Sequence, residues 1–218
     1  MAGIPLPNGA QLAIASTFGA AKVVSAITNA ASGIASSTAH GLTAGKIVML
    51  NTPGWVRADN QVHRIAAGAG ADQFVLTYLN TLDTSRFPAG GGVGSVREIL
   101  TWAQITKVPS LEKSGGDAKT TTTSYIDFEE DLELFTGKNP SRLSMTVSYA
   151  PDSAGHAALI AASDSGENQV LRMVLKSGDT LYYTGQMMYD PDPTTTKDQE
   201  MVNTLVMSKV AFTRMPKP

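Results

Sequence analysis

YIDFEEDLEL, the run Tyr125–Leu134, places Asp127, Glu129, Asp131 and Glu133 at every second position. Phe128, Glu130, Leu132 and Leu134 fill the positions between. Side chains on a strand alternate between its two faces, so period two reads as β. If the run is one straight strand, four carboxylates share a face at a spacing of about 7 Å. Like charges at that spacing repel, so the row does not stabilise the strand. Three readings fit it. It is a solvated outer face, or a calcium site, or a surface that must stay wet and must not hold a polyanion. Calcium sites wrap a loop round the ion, which a straight strand does not do. Glu130, on the apolar side, breaks the pattern.

Outward from this run the alternation persists. Glycine (20 residues), serine and threonine are abundant, aromatics make up 6%, and the breaks fall at glycine, asparagine and proline. The spacing predicts strands over 11–17, 22–28, 33–38, 46–51, 61–66, 73–79, 99–108, 124–135, 142–149, 170–176, 181–188 and 201–214. One helix is expected over 152–164, with Pro151-Asp152-Ser153 as its cap and Gly166 as its stop. The stretch Pro109–Ser124, with Gly115-Gly116 and Thr120–Thr123, has little to bury and reads as a mobile loop. Pro88–Gly94 (PAGGGVG) is the best linker candidate. It suggests an N-terminal β-rich domain over 1–97 and a second domain over 98–218. Residues 1–97 carry 6 basic and 3 acidic residues, net +3; residues 98–218 carry 11 and 16, net −5. The alternative is a first half that contributes strands, about 13–28, to one common core.

Composition narrows the function. The formal charge is −2 over 218 residues, which lacks the Lys/Arg excess of a dedicated DNA grip. There is no cysteine, so neither disulfides nor thiolate metal sites arise. The opening MAGIPLPNGAQLAIAS has no basic residue before its apolar stretch, and Pro5, Pro7 and Asn8 argue against a signal peptide. A soluble protein made in a reducing cytoplasm is expected, without a membrane span. His40, His63 and His156 stand apart, in a loop, on a strand surface and on a helix surface. The clusters Gly68–Gly70 and Gly90–Gly94 do not join a strand to a helix, so they cradle no phosphate. Trp55 and Trp102 read as core or interface residues. No catalytic group, metal ligand or cofactor site emerges.

The segments PLPNGAQLAIA, STAHGLTAGKIVML with NQVHRIA, and RFPAGGGVGSV resemble the N-terminal half of tail tube proteins of long non-contractile-tailed bacteriophages (siphophages). The second half resembles the same family in order, through SAGHAALIAASDSG, LRMVLKSGDTLYYTGQMMY and MVNTLVMSKVAF. The resemblance implies a mainly β, β-sandwich tail-tube fold with one flanking helix and a small N-terminal β domain. It further implies a structural virion protein, not an enzyme, assembled in the host cytoplasm into stacked hexameric rings. The hollow tube passes double-stranded DNA and meets a tape measure protein, a tail terminator and distal tail or baseplate proteins. On that reading Asp127, Glu129, Asp131 and Glu133 line the DNA channel. Lys113, Ser114, Gly115, Gly116, Asp117, Lys119, Thr120, Thr121, Thr122 and Thr123 form a loop that orders when rings stack. A projecting hairpin is the alternative, which sets some of the carboxylates at a ring–ring contact. A terminator-like single ring and a carbohydrate-binding β-sandwich are the competing functions.

Overall fold

The computed structural model describes residues 8–68, 70–127 and 129–217. Pro5, Pro7 and Phe128 lie outside them. Seven strands come first: β1 (Gln11–Phe18), β2 (Lys22–Val24), β3 (Ala26–Ile27), β4 (Ile34–Ser36), β5 (Ile47–Asn51), β6 (Val62–Arg64) and β7 (Gln73–Val75). They are followed by β8 (Gly94–Ile105), β9 (Ser110–Gly115), β10 (Ala118–Thr123), β11 (Leu132–Lys138) and β12 (Ser141–Ser148). The helix α1 (Ala154–Ser165) precedes β13 (Gln169–Val174), β14 (Thr180–Tyr189) and β15 (Val202–Met215). The protein is therefore mainly β, and its principal layer is one antiparallel sheet in the order β6-β5-β8-β1-β13-β14-β15-β12-β9, with β2 also on β8. Two small sheets, β10–β11 and β3–β4–β7, lie apart from it.

Alternation along the strands builds two different faces. On the first, Leu143, Met145, Val147, Leu205, Met207, Met187, Leu171, Ile14 and Ile105 form a core with Leu159 and Ala162 of α1. Burial of so many aliphatic side chains is the main drive for this packing. The helix begins as its sequence requires. Ser153 accepts from the His156 N–H, and Gly166 closes the other end in the left-handed region at φ 62°. Its first turn presses on β8: a Cβ on Gly155 would stand 2.5 Å from the Gln104 carbonyl oxygen.

On the second face the sheet curls back over itself. Ala15, Ile99, Val170, Tyr182 and Met215 meet Met49 and Val62 of β5 and β6. The curl brings the Val62 N–H to Thr213 Oγ1 at 3.4 Å. This covers the second face only at one end of the sheet.

A third core holds Trp55, Phe74, Leu50, Leu76 and Val96. The glycine-rich segment read as a linker is packed over it. The Trp55 Nε1–H donates to the Pro88 carbonyl at 2.9 Å, and a Cβ on Gly92 would lie 2.8 Å from the indole. Strand β8 spans residue 97, and β1 sits between β8 and β13 within the large sheet.

Two expectations are corrected. Pro109–Ser124 is not a loop: β9 pairs with β12, and β10 pairs with β11. Four β-branched threonines favour extended backbone, and ladder hydrogen bonds replace the missing apolar burial. Residues 125–127 and 129–131 of the acidic run are not strand: they belong to the turn of the β10–β11 hairpin, whose last register pair is Thr123 with Leu132. Crowded carboxylates are better hydrated in a turn than ranked along a strand. His63 also departs from its expected strand surface, because it is fully buried.

Candidate assembly surface

Among the described residues β9 pairs with β12 alone, which leaves one edge of the large sheet bare. A bare edge exposes a row of N–H and C=O groups able to accept another strand. Beside it lies the uncovered end of the second face, formed by β9, β12, β15 and β14. Register places Ser114, Arg142, Ser208 and Gln186 in one row across these strands. Glu112, Ser144, Val206 and Met188 form the next row, and Ser110, Thr146 and Thr204 a third. Cross-strand partners point the same way, so these residues make one continuous surface. Seven of these eleven side chains are hydroxyl or amide; the others are Glu112, Arg142 and two apolar residues, Val206 and Met188, the latter 74% exposed. Gln186 is held by its Nε2–H bond to the Gly166 carbonyl at 3.0 Å. The opposite side of the same strands is the apolar core under α1, so the strands are polar-out and apolar-in.

The stacking candidates divide between two elements. Lys113, Ser114 and Gly115 belong to β9, while Lys119 and Thr120–Thr123 belong to β10. Gly116 and Asp117 join them, with Gly115 and Gly116 both at positive φ (69° and 81°). The β10–β11 arm they open is exposed along nearly its whole length. Of the four carboxylates expected in a row, only Glu133 lies on a strand, opposite Thr122. Asp127, Glu129 and Asp131 occupy the turn with Glu130, and all are exposed. The structure therefore gathers the acids at one tip instead of ranking them along a face. Leu132 (51% exposed), Leu134 (43%) and Phe135 (78%) leave apolar surface on both sides of the arm.

Sequence alone does not single out the polar face as a site, because it carries no charge run. Its signal is present in RLSMTVS, residues 142–148, where polar and apolar residues alternate strictly. The histidines serve packing. His40 bonds to the Gly70 carbonyl at 3.0 Å, His63 to that of Thr77 at 3.0 Å, and His156 Nδ1 to the Tyr189 hydroxyl at 2.8 Å. No group of three or more His, Asp or Glu among the described residues is arranged to hold a metal ion. No described helix is long and apolar enough to cross a membrane.

The family model described as phage tail tube protein, TTP, matches residues 53–216. No curated protein sequence matches the chain. Among solved structures, a chain of the virion of a native gene transfer agent particle overlaps 52% of this chain and 88% of its own, at 15% identity and a TM-score of 0.40. A chain of the empty gene transfer agent tail, refined helically with C6 symmetry, overlaps 52% and 86% at 15% identity and a TM-score of 0.40. A chain of the six-fold symmetrised anti-feeding prophage baseplate overlaps 54% and 86% at 12% identity and a TM-score of 0.39. These overlaps are partial. With the match spanning most of the sequence, the chain belongs to the phage tail tube protein family, as a structural, non-enzymatic component that builds the tube of the virion tail.

Proposed function

We propose that six copies of the chain close into a ring by strand addition at the bare edge of β9, with the polar face of β9, β12, β15 and β14 turned to the bore. The observation that carries this reading is a broad, uncovered polar face beside an unpaired strand edge. Hydroxyl and amide groups keep water at the wall, and the near-absence of basic residues avoids releasing counterions to clamp the phosphates of passing duplex DNA. The bore assignment thus moves from Asp127, Glu129, Asp131 and Glu133 to this face, and the acids take the alternative role of a projecting hairpin at a contact between rings. The resemblance to siphophage proteins supports a long non-contractile tail. It also supports contacts with a tape measure protein inside the tube, a terminator at one end and distal tail proteins at the other. The small sheet β3–β4–β7 and the Trp55 core decorate the outside.

Single cysteines test the orientation, because the chain has none of its own. In assembled tubes, Ser144→Cys and Thr204→Cys should react with a small maleimide and resist one carrying a bulky polymer. Val56→Cys, at a residue 84% exposed in the N-terminal half, should react with both. Equal reaction of all three with the bulky reagent rejects the bore assignment. Negative-stain images of the purified chain decide the wider question: hollow tubes support it, and isolated rings favour a terminator-like role.

A further inference from the structure

The β10–β11 arm is electrically polarised. Its far end holds Asp127, Glu129, Glu130, Asp131 and Glu133 without a single basic residue between Ser124 and Leu134. Its near end holds Lys138 on the arm, with Lys113 on β9 and Lys209 on β15. Register puts Lys113 and Lys209 on the first face of the sheet, beyond the end of the apolar core. Strand pairing gathers the three at one end of the sheet: Ser141 pairs with both Lys209 and Gly115, with Lys113 on the same strand as Gly115 and Lys138 just ahead of Ser141 in the chain. Lys209 is held below the ordinary lysine value by burial first, then by the charges of Lys113 and Lys138. Asp117 and Glu112 are the acids of the near end, and none of the ion pairs among the described residues engages either group of charges.

Apolar surface accompanies both groups. Around the acids, Ile126 is fully exposed and Leu132 and Leu134 are about half exposed. Around the lysines, Phe212 is 45% exposed and Val210 57%, with Lys209 Nζ over the Phe212 ring at 5.8 Å. Each patch offers what the other lacks, opposite charge around a small apolar centre. They cannot meet within one molecule, because the hairpin holds them about 20 Å apart, six paired residues at ~3.3 Å each.

We propose that the acidic tip of the β10–β11 arm of one subunit docks on the patch of Lys113, Lys138, Lys209 and Phe212 of a second copy. This rests on the self-assembly reading above and names its stacking contact. The two surfaces differ, so the contact is heterologous and repeats from copy to copy without closing, as a growing tube needs. Charges of one sign on each surface also disfavour tip-to-tip and patch-to-patch encounters.

The test uses charge exchange in the full chain, read by sedimentation and negative-stain microscopy, with circular dichroism as the check on folding. Lys113→Glu/Lys138→Glu/Lys209→Glu should fold and lose tubes, as should Asp127→Lys/Glu129→Lys/Glu130→Lys/Asp131→Lys. Combining both sets in one chain should restore tubes. A second measurement pairs Glu130→Cys with Phe212→Cys, which should give a disulfide-linked ladder of copies under oxidation. Normal tubes from either charge-reversed variant overturn the proposal, and so does a folded combined variant that stays unassembled. Salt-dependent binding of a duplex oligonucleotide by the lysine patch, with stacking intact in the variants, also overturns it. An unmodified chain that never forms tubes rejects instead the assembly reading on which the proposal stands.

Discussion

His63 donates from Nδ1 to the Thr77 carbonyl at 3.0 Å, while its Nε2 is buried with no partner. Burial lowers its pKa from 6.5 to about 4, outweighing the bond to Thr77, which acts the other way. The unfolded chain therefore binds more protons between these two values. The stability of neutral His63 is complete above about pH 6.5, falls as pH drops toward 4, and changes no further below that. A displacement of this size corresponds to roughly 3 kcal/mol. His63→Gln keeps an amide donor for Thr77 and removes the titration. Denaturant unfolding of both proteins from about pH 7 to pH 4 should show the native chain losing that amount relative to the variant. Parallel curves would mean that His63 reaches water or a proton acceptor in the folded state.

Helix α1 is tied down by two small residues. Ser153 Oγ accepts from the His156 N–H at 3.1 Å and donates to the Ala150 carbonyl at 2.8 Å. Gly155 has only backbone beneath it, with the Gln104 carbonyl 2.5 Å from where a Cβ would stand. Ser153→Ala should cost ~1 kcal/mol, the usual value of a cap. Gly155→Ala should cost about 1–3 kcal/mol despite alanine's better helix propensity, because the helix must lift from β8. If Gly155→Ala unfolds at a higher denaturant concentration than the native chain, propensity has won and the close approach is not a constraint.

The arm is separable from the body. No residue from Ala118 to Lys138 belongs to a described core cluster, and the Asn139 N–H meets the Asp117 carbonyl at 2.9 Å across its base. Replacing 118–138 by a two-glycine turn should leave the subunit's unfolding free energy within about 0.5 kcal/mol of the native value, as for changes remote from the core. Tube formation should be lost. A deletion that unfolds the subunit, or one that still forms tubes, contradicts the separation of stability from assembly.

Local chemistry explains what was legible beforehand. Pro151–Ser153 and Gly166 are end signals that act within a few residues, and α1 begins and stops where they indicate. Strand β12 was equally plain, since it alternates against a core, and β1 and β5 were plain as short apolar runs buried on both faces. Thr120–Thr123 misled because a segment with nothing to bury reads as mobile; its order comes from Leu132–Phe135 across the hairpin. The turn over residues 125–127 and 129–131 was hidden by accidental alternation of acids with Phe128, Glu130 and Leu132, which mimics a strand. The curl of the large sheet was out of reach for another reason. It depends on Val62 meeting Thr213, 151 residues away, and no local pattern encodes that encounter. The polar face sits between these extremes: each strand's alternation was visible, but not which four strands would lie side by side.

If the polar face lines the bore, its tolerance for charge must be asymmetric. Thr204 and Ser208 project from β15 on this face, both exposed and neither in a core. Thr204→Lys/Ser208→Lys adds cations repeated round every ring, each able to displace a counterion and hold a phosphate. Tubes should form, because the substitutions touch neither the β9 edge nor the arm. DNA release from particles built with this variant should slow markedly at low salt and recover as salt rises, since screening shortens the reach of each added charge. Thr204→Glu/Ser208→Glu should leave release near its native rate, as repulsion keeps the duplex off the wall. The decisive comparison is the salt dependence of the two variants in one release assay. Lysine and glutamate variants with the same rate at every salt concentration would put this face elsewhere than the DNA path.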